Sequence, residues 1–403
     1  MSTKTGVFLD RHTPPTMFSL IVITGVAALT MNMFLPALPL MAADFNTDYA
    51  VIQLSVGLYL ACMGASQLII GPLADRYGRR NVLIGAYAIF TIASLICALA
   101  TDLSYFMAAR MCQATVFAGV VLSRAMIRDS YSEAESASKI GYVTMGMAIA
   151  PMVGPAFGGW LGDLFGWRAN FWAMAAFGIL ALLLIWRDLG ETQREGFRNF
   201  REQFKAYPVL LSSKYFWAYS LSMACAAGTF FAYLGGAPFV GTHIFELTPS
   251  QLGLLFGATS LGYASGSFLS GRLSSRTGVR RMIFWGTLTT VLALSLSLSL
   301  FLLGLGTMAS FFGLMTAMGT GYGMTMPNAT VGALSVVPKL SGTASGLSGA
   351  IMICLGAGIS AFAGAAMVPG VGPERLLEIQ LTLALTGLAI AYWIRQSAPR
   401  PSA

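Results

Sequence analysis

Arg110 and Gln113 are the residues whose type and spacing most invite a chemical role. They stand three apart, on one helical face, within the otherwise apolar run R-M-C-Q-A. A guanidinium well inside a hydrophobic span is costly, so such residues turn toward a cavity and mark the path of a solute or ion. The competing reading is a side chain that snorkels to the outer interface. Enzyme chemistry finds no comparable footing. His12 and His243 are the two histidines and lie far apart, which leaves no His-based triad and no metal cluster. Cys62, Cys97, Cys112, Cys225 and Cys354 all fall in apolar runs, with the spacing of neither a disulfide framework nor a zinc site. Gly319–Gly323 (G-T-G-Y-G) is glycine-rich but lacks the strand–turn–helix setting of a nucleotide loop. The chain therefore reads as a non-enzyme without cofactor or metal.

Long apolar elements must position these residues. Of 403 residues, 56% are hydrophobic and 10% charged, with a mean hydropathy of +0.70. A soluble domain is about a quarter charged. Apolar runs recur that are long enough for a hydrocarbon core, which takes about 20 residues of helix. They lack the period-2 alternation of a membrane barrel, so the expected class is an all-α polytopic membrane protein. Twelve helices are expected, near 17–40, 51–72, 82–100, 103–127, 139–161, 169–187, 215–240, 250–271, 282–303, 307–332, 340–366 and 375–394.

Charge orients them. With the N-terminus inside, 21 of the 24 basic residues fall on the cytoplasmic side, all but Arg110, Arg168 and Arg375. The positive-inside bias thus predicts a multi-pass inner-membrane protein with both termini cytoplasmic, and the net charge of +8 needs no nucleic-acid partner. Trp160, Trp167 and Trp172 are expected at the outer interface. The first apolar run reads as an uncleaved span.

The polar stretch 188–214 separates an N-terminal six-helix bundle (1–187) from a C-terminal one (215–403). Phe197, Phe200 and Phe204 at helical spacing allow an amphipathic helix there, with a solvated linker as the alternative. The halves echo each other. Gly71, Leu73, Arg76, Gly78 and Arg80 recur at an offset of 200 as Gly271, Leu273, Arg276, Gly278 and Arg280, the mark of an internal duplication.

The stretch G-P-L-A-D-R-Y-G-R-R (Gly71–Arg80) resembles the G-x-L-A-D-R-x-G-R-R signature of the major facilitator superfamily. The resemblance implies two six-helix bundles around a central cavity. It also implies a cytoplasmic latch of Gly71, Asp75, Arg76, Gly78, Arg79, Arg80, Arg128 and Asp129 that forms in one access state and breaks in the other. Physically, Gly71 would let two helices approach closely, and Asp75 could pair with Arg79. R-M-C-Q-A is similar to the family's R-x-x-Q-G. In the fifth helix, Gly146, Pro151, Gly154, Pro155, Gly158 and Gly159 resemble the antiporter motif, which favours export. The prolines would bend that helix and the glycines would let a neighbour approach.

A narrower resemblance rests on M-F-L-P-A-L-P (Met33–Pro39), R-A-M-I-R-D (Arg124–Asp129), F-A-Y-L-G-G-A-P-F-V (Phe231–Val240) and P-N-A-T-V-G-A-L-S (Pro327–Ser335). These look like the bicyclomycin/chloramphenicol-resistance (Bcr/CflA) branch of drug:proton antiporters. That resemblance implies efflux of small molecules by alternating access, coupled to proton antiport, by a monomer in the lipid bilayer. A dedicated metabolite exporter or importer on the same fold is the alternative. The branch commonly carries an aspartate in its first helix, and Asn32 stands in that place here. An amide does not exchange a proton near neutral pH. A cavity holding Arg110 and no buried acid should favour neutral or anionic substrates over cations. Asn32, Met33, Tyr59, Arg110, Gln113, Tyr219, Tyr233 and Tyr322 are the expected cavity residues.

Overall fold

The computed structural model describes residues 7–131, 133–192, 207–337, 340–368 and 370–397, and every regular element among them is helical. The first span begins as α1 (Met17–Asn32), passes through a 3-10 turn at Leu35–Ala37 and ends as α2 (Leu38–Asp44). Pro36 and Pro39 explain the break. Each lacks an N–H and crowds the carbonyl four residues back, so the α1 ladder ends and each proline sits in the first turn of the next piece. There follow α3 (Tyr49–Tyr77) and α4 (Arg79–Leu99). The fourth span is α5 (Leu103–Gln113), a 3-10 turn at Ala114–Phe117 and α6 (Ala118–Ser130). After it come α7 (Glu133–Phe165) and α8 (Arg168–Asp188). The second half holds α9 (Lys214–Phe239), prolonged by a π-turn at Val240–Ile244, then α10 (Pro249–Thr277) and α11 (Val279–Leu302). It closes with α12 (Met308–Ser335), α13 (Ser341–Ala365) and α14 (Pro373–Ser397).

Ten of the spans are long and apolar enough to cross a membrane. The 33-residue α7 and the 28-residue α12 bring the long helical segments to twelve. Helix ends lie further out than hydropathy predicts. The second helix runs on to Tyr77, so the basic stretch after it is no loop but a single break at Gly78.

The chain forms two compact units. One comprises 1–47, 65–200 and 248–253; the other comprises 48–64, 201–247 and 254–403. Within the first, α1 packs on α7 and α8, and α4 on α5 and α8. Within the second, α9 packs on α13 and α14, and α11 on α12 and α14. These are the same pairings by helix rank, as expected of a duplicated six-helix plan.

Each unit has its own aromatic cluster. Phe45, Phe106, Trp167 and Phe171 pack with ring centroids 5.3–5.8 Å apart. Phe245, Phe301, Phe311 and Phe312 do the same in the other unit at 5.1–6.4 Å. Trp167 is only 5% exposed, whereas Trp160 and Trp172 are about half exposed. Its indole N–H reaches Asp44 and its ring takes the Arg168 guanidinium, so packing and polar partners both draw it inward.

Tight helix crossings come from glycine pairs. Gly262 and Gly266 of α10 lie on the carbonyls of Thr316 and Thr320, while Gly319 and Gly323 of α12 lie on those of Thr259 and Tyr263. A Cβ at any of the four would strike backbone. The G-T-G-Y-G run is thus one face of a helix crossing.

Candidate functional site

Arg110 is completely buried in the first unit. One guanidinium nitrogen donates to Gln113 Oε1 at 2.6 Å and the other to the Thr30 carbonyl at 3.2 Å. The guanidinium carbon also sits 4.2 Å from the Phe34 ring centroid. Gln113 in turn donates to Ser94 Oγ at 2.7 Å and lies 3.9 Å from Met174 Sδ. Thr30 is in the last turn of α1, where carbonyls lack helical partners and carry partial negative charge. The break at Pro36 therefore creates the acceptor that the arginine uses. Residues of α1, α4, α5 and α8 are tied through one cation and one amide.

The second unit repeats the knot without the charge. Gln380, fully buried, donates to the Thr229 carbonyl at 3.1 Å and lies 3.8 Å from Met315 Sδ. The glutamine–methionine pair bridges α12 and α14 as Gln113 and Met174 bridge α5 and α8, with the glutamine on the sixth span of its unit here and on the fourth there.

The other expected cavity residues divide between the units. Asn32 is 3% exposed; its amide nitrogen donates to the Ala28 carbonyl at 3.4 Å, and its Oδ1 is buried without a hydrogen-bond partner. Met33 is buried, with its carbonyl against Gly158. These two lie in the same unit as Arg110 and Gln113. In the second unit Tyr59 is buried, and the Tyr233 hydroxyl accepts from Thr259 at 3.3 Å. Tyr322 stacks on Phe230 at 5.4 Å and meets Tyr263 at 5.1 Å. Tyr219 is in different company, packed with Met223, Ile283, Ala329 and Ala333 in an apolar cluster.

The basic stretch around Gly78 is bonded in a way that spacing did not suggest. Arg79 pairs with Asp129 at 2.5 Å. Glu191 accepts the backbone N–H groups of Arg79 and Arg80 at 2.9 and 3.2 Å, capping α4 from a distant part of the chain. Arg80 donates to the carbonyls of Leu189 and Trp186, satisfying the end of α8. Gly78 has φ 90°, and a Cβ there would meet the Glu191 carboxylate. Gly278 repeats the backbone, with φ 85° and ψ 147° against 90° and 145°. Arg76 lies over the Tyr77 ring. One expectation needs correcting. Gly71 meets nothing within 4 Å, so it is no contact point between helices here. Asp129, which α6 delivers to it, is a carboxylate partner of Arg79 that spacing did not indicate. The side chains of Asp75 and Arg128 lie outside the described set, as do 193–206 with Phe197, Phe200 and Phe204.

The glycines of α7 are contact points. Gly154 faces Leu29, and Gly158 lies on the Met33 carbonyl where α1 breaks. Gly159 lies on the Pro249 carbonyl and Gly253 on that of Pro155, a reciprocal fit between α7 and the start of α10. Asp163 then accepts the Ser250 N–H at 3.0 Å, at the positive end of α10. The helix continues through Pro151 and Pro155 without interruption; the surroundings of Gly146 and Pro151 lie outside the described set. Glu191 makes its contacts from the stretch that reads in sequence as a polar linker. Among described residues, no group of three metal-ligating side chains occurs.

Twelve long helices in two repeated sets, around buried polar knots, define a carrier of the helical membrane class. Residues 20–401 match the family model of the Major Facilitator Superfamily, and the chain belongs to that family. It is a multi-pass membrane transporter of small molecules and not an enzyme. It is 30% identical over 335 residues to a chloramphenicol resistance protein of Pseudomonas aeruginosa, covering 82% of this chain and 78% of that one. It is 25% identical over 331 residues to a bicyclomycin resistance protein homolog of Haemophilus influenzae, covering 81% and 83%. These relatives bear out the resemblance to the bicyclomycin/chloramphenicol-resistance branch. Among solved structures, a bacterial homolog of the human lysosomal transporter Spinster, inward-facing and occupied, shares the fold. Its TM-score is 0.73 at 18% identity, over 96% of this chain and 98% of that one.

Proposed function

We propose that the protein exports small amphiphilic molecules from the cytoplasm by alternating access, as a proton antiporter and a monomer. Both termini are cytoplasmic in this reading, and 188–214 joins a bundle of 1–187 to one of 215–403. Asn32, Met33, Tyr59, Arg110, Gln113, Tyr233 and Tyr322 contribute to the substrate path, with Tyr219 the member most engaged in packing. Asp129, Arg79, Arg80 and Gly78 form the cytoplasmic latch, with Asp75, Arg76 and Arg128 beside them. Efflux is supported by the relatives named for chloramphenicol and bicyclomycin resistance, and by the fit of Gly158 and Gly159 in the helix that carries the antiporter motif.

The observation that carries the substrate preference is Asn32, a buried amide where the branch commonly holds an acid. Among described residues the one fully buried carboxylate is Asp188, at the far end of α8. A path without a buried acid offers a lipophilic cation no counter-charge, and neutral or anionic compounds pass at lower cost. The test is a susceptibility panel in an efflux-deficient bacterium expressing the chain. Protection against amphenicols, bicyclomycin or anionic drugs, with none against ethidium, is the expected result. Protection against cations overturns the preference and leaves efflux standing. No protection at normal membrane abundance favours the dedicated metabolite carrier, a reading that the missing acid also suits.

A further inference from the structure

Ahead of α1, residues 7–16 are built into the first unit as a strap. The Asp188 carboxylate, fully buried at the end of α8, accepts the Leu9 N–H at 2.7 Å, the Thr16 hydroxyl at 2.6 Å and the Thr16 N–H at 3.3 Å. Gly190 lies so close on the Arg11 carbonyl that a Cβ there would strike it. Leu9 is held at φ 64°, a conformation a branched side chain rarely adopts, and Asp10 Oδ1 accepts the His12 N–H at 3.0 Å. A free tail would not keep such a backbone.

This strap and the end of α8 form an open surface pocket of about 370 Å³, lined by Leu9, Asp10, Arg11, His12, Trp186 and Arg187. The guanidinium of Arg187 lies 5.1 Å from the Trp186 ring centroid. Among the described residues neither Arg11 nor Arg187 has an ion-pair partner. The rim is apolar and turned outward: Val7, Phe8, Leu9, Phe18 and Trp186 are each 47–58% exposed. Phe8 and Phe18 meet edge to face at 5.5 Å. Cations beside exposed aromatic rings at the end of a span match the level where headgroups meet acyl chains.

We infer that this pocket is a binding site for the headgroup of an anionic glycerophospholipid. The phosphodiester lies between Arg11 and Arg187, headgroup hydroxyls face Asp10, and the acyl chains run along Phe8, Phe18 and Trp186. Two arginines against one carboxylate favour an anionic lipid, and the apolar rim favours a lipid over a free anion. The site lies on the membrane face that carries the N-terminus, and it is independent of which solute is carried.

The test uses the purified full-length chain in detergent, with melting followed as lipid is added. Phosphatidylglycerol should raise the melting temperature, while phosphatidylcholine, phosphatidylethanolamine and inorganic phosphate at equal phosphorus should not. The R11Q/R187Q variant should need roughly thirtyfold more phosphatidylglycerol for the same shift, given about 1 kcal/mol for each of the two basic residues at a lipid surface. An unchanged requirement in the variant overturns the inference, as does an equal shift with phosphatidylethanolamine or with inorganic phosphate. Should the variant fail to fold, phosphatidylglycerol with brominated acyl chains is added to the native protein and to Trp186→Phe. The native protein should lose a component of its fluorescence that the variant lacks; equal quenching overturns the inference.

Discussion

The Arg110 guanidinium donates to the Thr30 carbonyl across two helices, and that carbonyl is available because α1 ends two residues later at Asn32. A proline-induced break and a buried cation therefore form one arrangement. Removing the cation strands Thr30 O and Gln113 Oε1 in the interior, at about 1–3 kcal/mol for each orphaned group. Arg110→Ala is expected to lower the melting temperature and abolish transport. Arg110→Lys keeps the charge but has no planar fork to reach both acceptors, so it should recover part of the stability and little transport. Melting in detergent and drug protection, measured on both variants, separate the two effects.

Asn32→Asp restores the acid that the branch commonly carries. Its carboxylate supplies the counter-charge that a lipophilic cation lacks in the native protein. Protection against ethidium is expected to appear in this variant. A susceptibility panel reads this directly; no gain would remove Asn32 from the substrate path.

The glycines of α7 and α3 should respond differently to one added methyl group. A Cβ at Gly158 meets the Met33 backbone, whereas one at Gly71 meets nothing within 4 Å. Overpacking of this kind costs about 1–3 kcal/mol. Gly158→Ala should therefore lower membrane abundance and melting temperature, and Gly71→Ala should leave both near native.

Asp163 and Glu191 each cap a helix that starts elsewhere in the chain. Loss of such a cap costs about 1 kcal/mol, and asparagine caps about as well as aspartate. Asp163→Ala should destabilise the protein while Asp163→Asn largely restores it. Glu191→Ala should act on α4 in the same way and further loosen Arg79 and Arg80. Thermal melts of the three variants check this.

Much of the plan was legible in sequence because lipid leaves few choices. Apolar run lengths located the spans, and the duplication read from the glycine–arginine offset of 200 agrees with the like backbone found at Gly78 and Gly278. The Arg110–Gln113 pair followed from its spacing of three. What sequence did not show were bonds made over long separations. Glu191 and Asp188 sat in what read as a polar linker, and no local pattern indicates that a carboxylate will cap a helix 111 residues away. Gly71 was misread for a related reason: glycine licenses close approach without saying whether a neighbour arrives. The burial of Trp167 was likewise hidden, because its indole N–H reaches Asp44, 123 residues away.

The Asp188 anchor has a consequence for biogenesis. The carboxylate that secures Thr16 is encoded 172 residues after it. At about 5–20 residues per second, roughly ten to thirty seconds of translation separate the two. Throughout that interval the leading segment lacks the acceptor that holds it in the folded protein. The anchor forms only once the sixth helix has been made, so this strap is among the last parts of the first bundle to be secured.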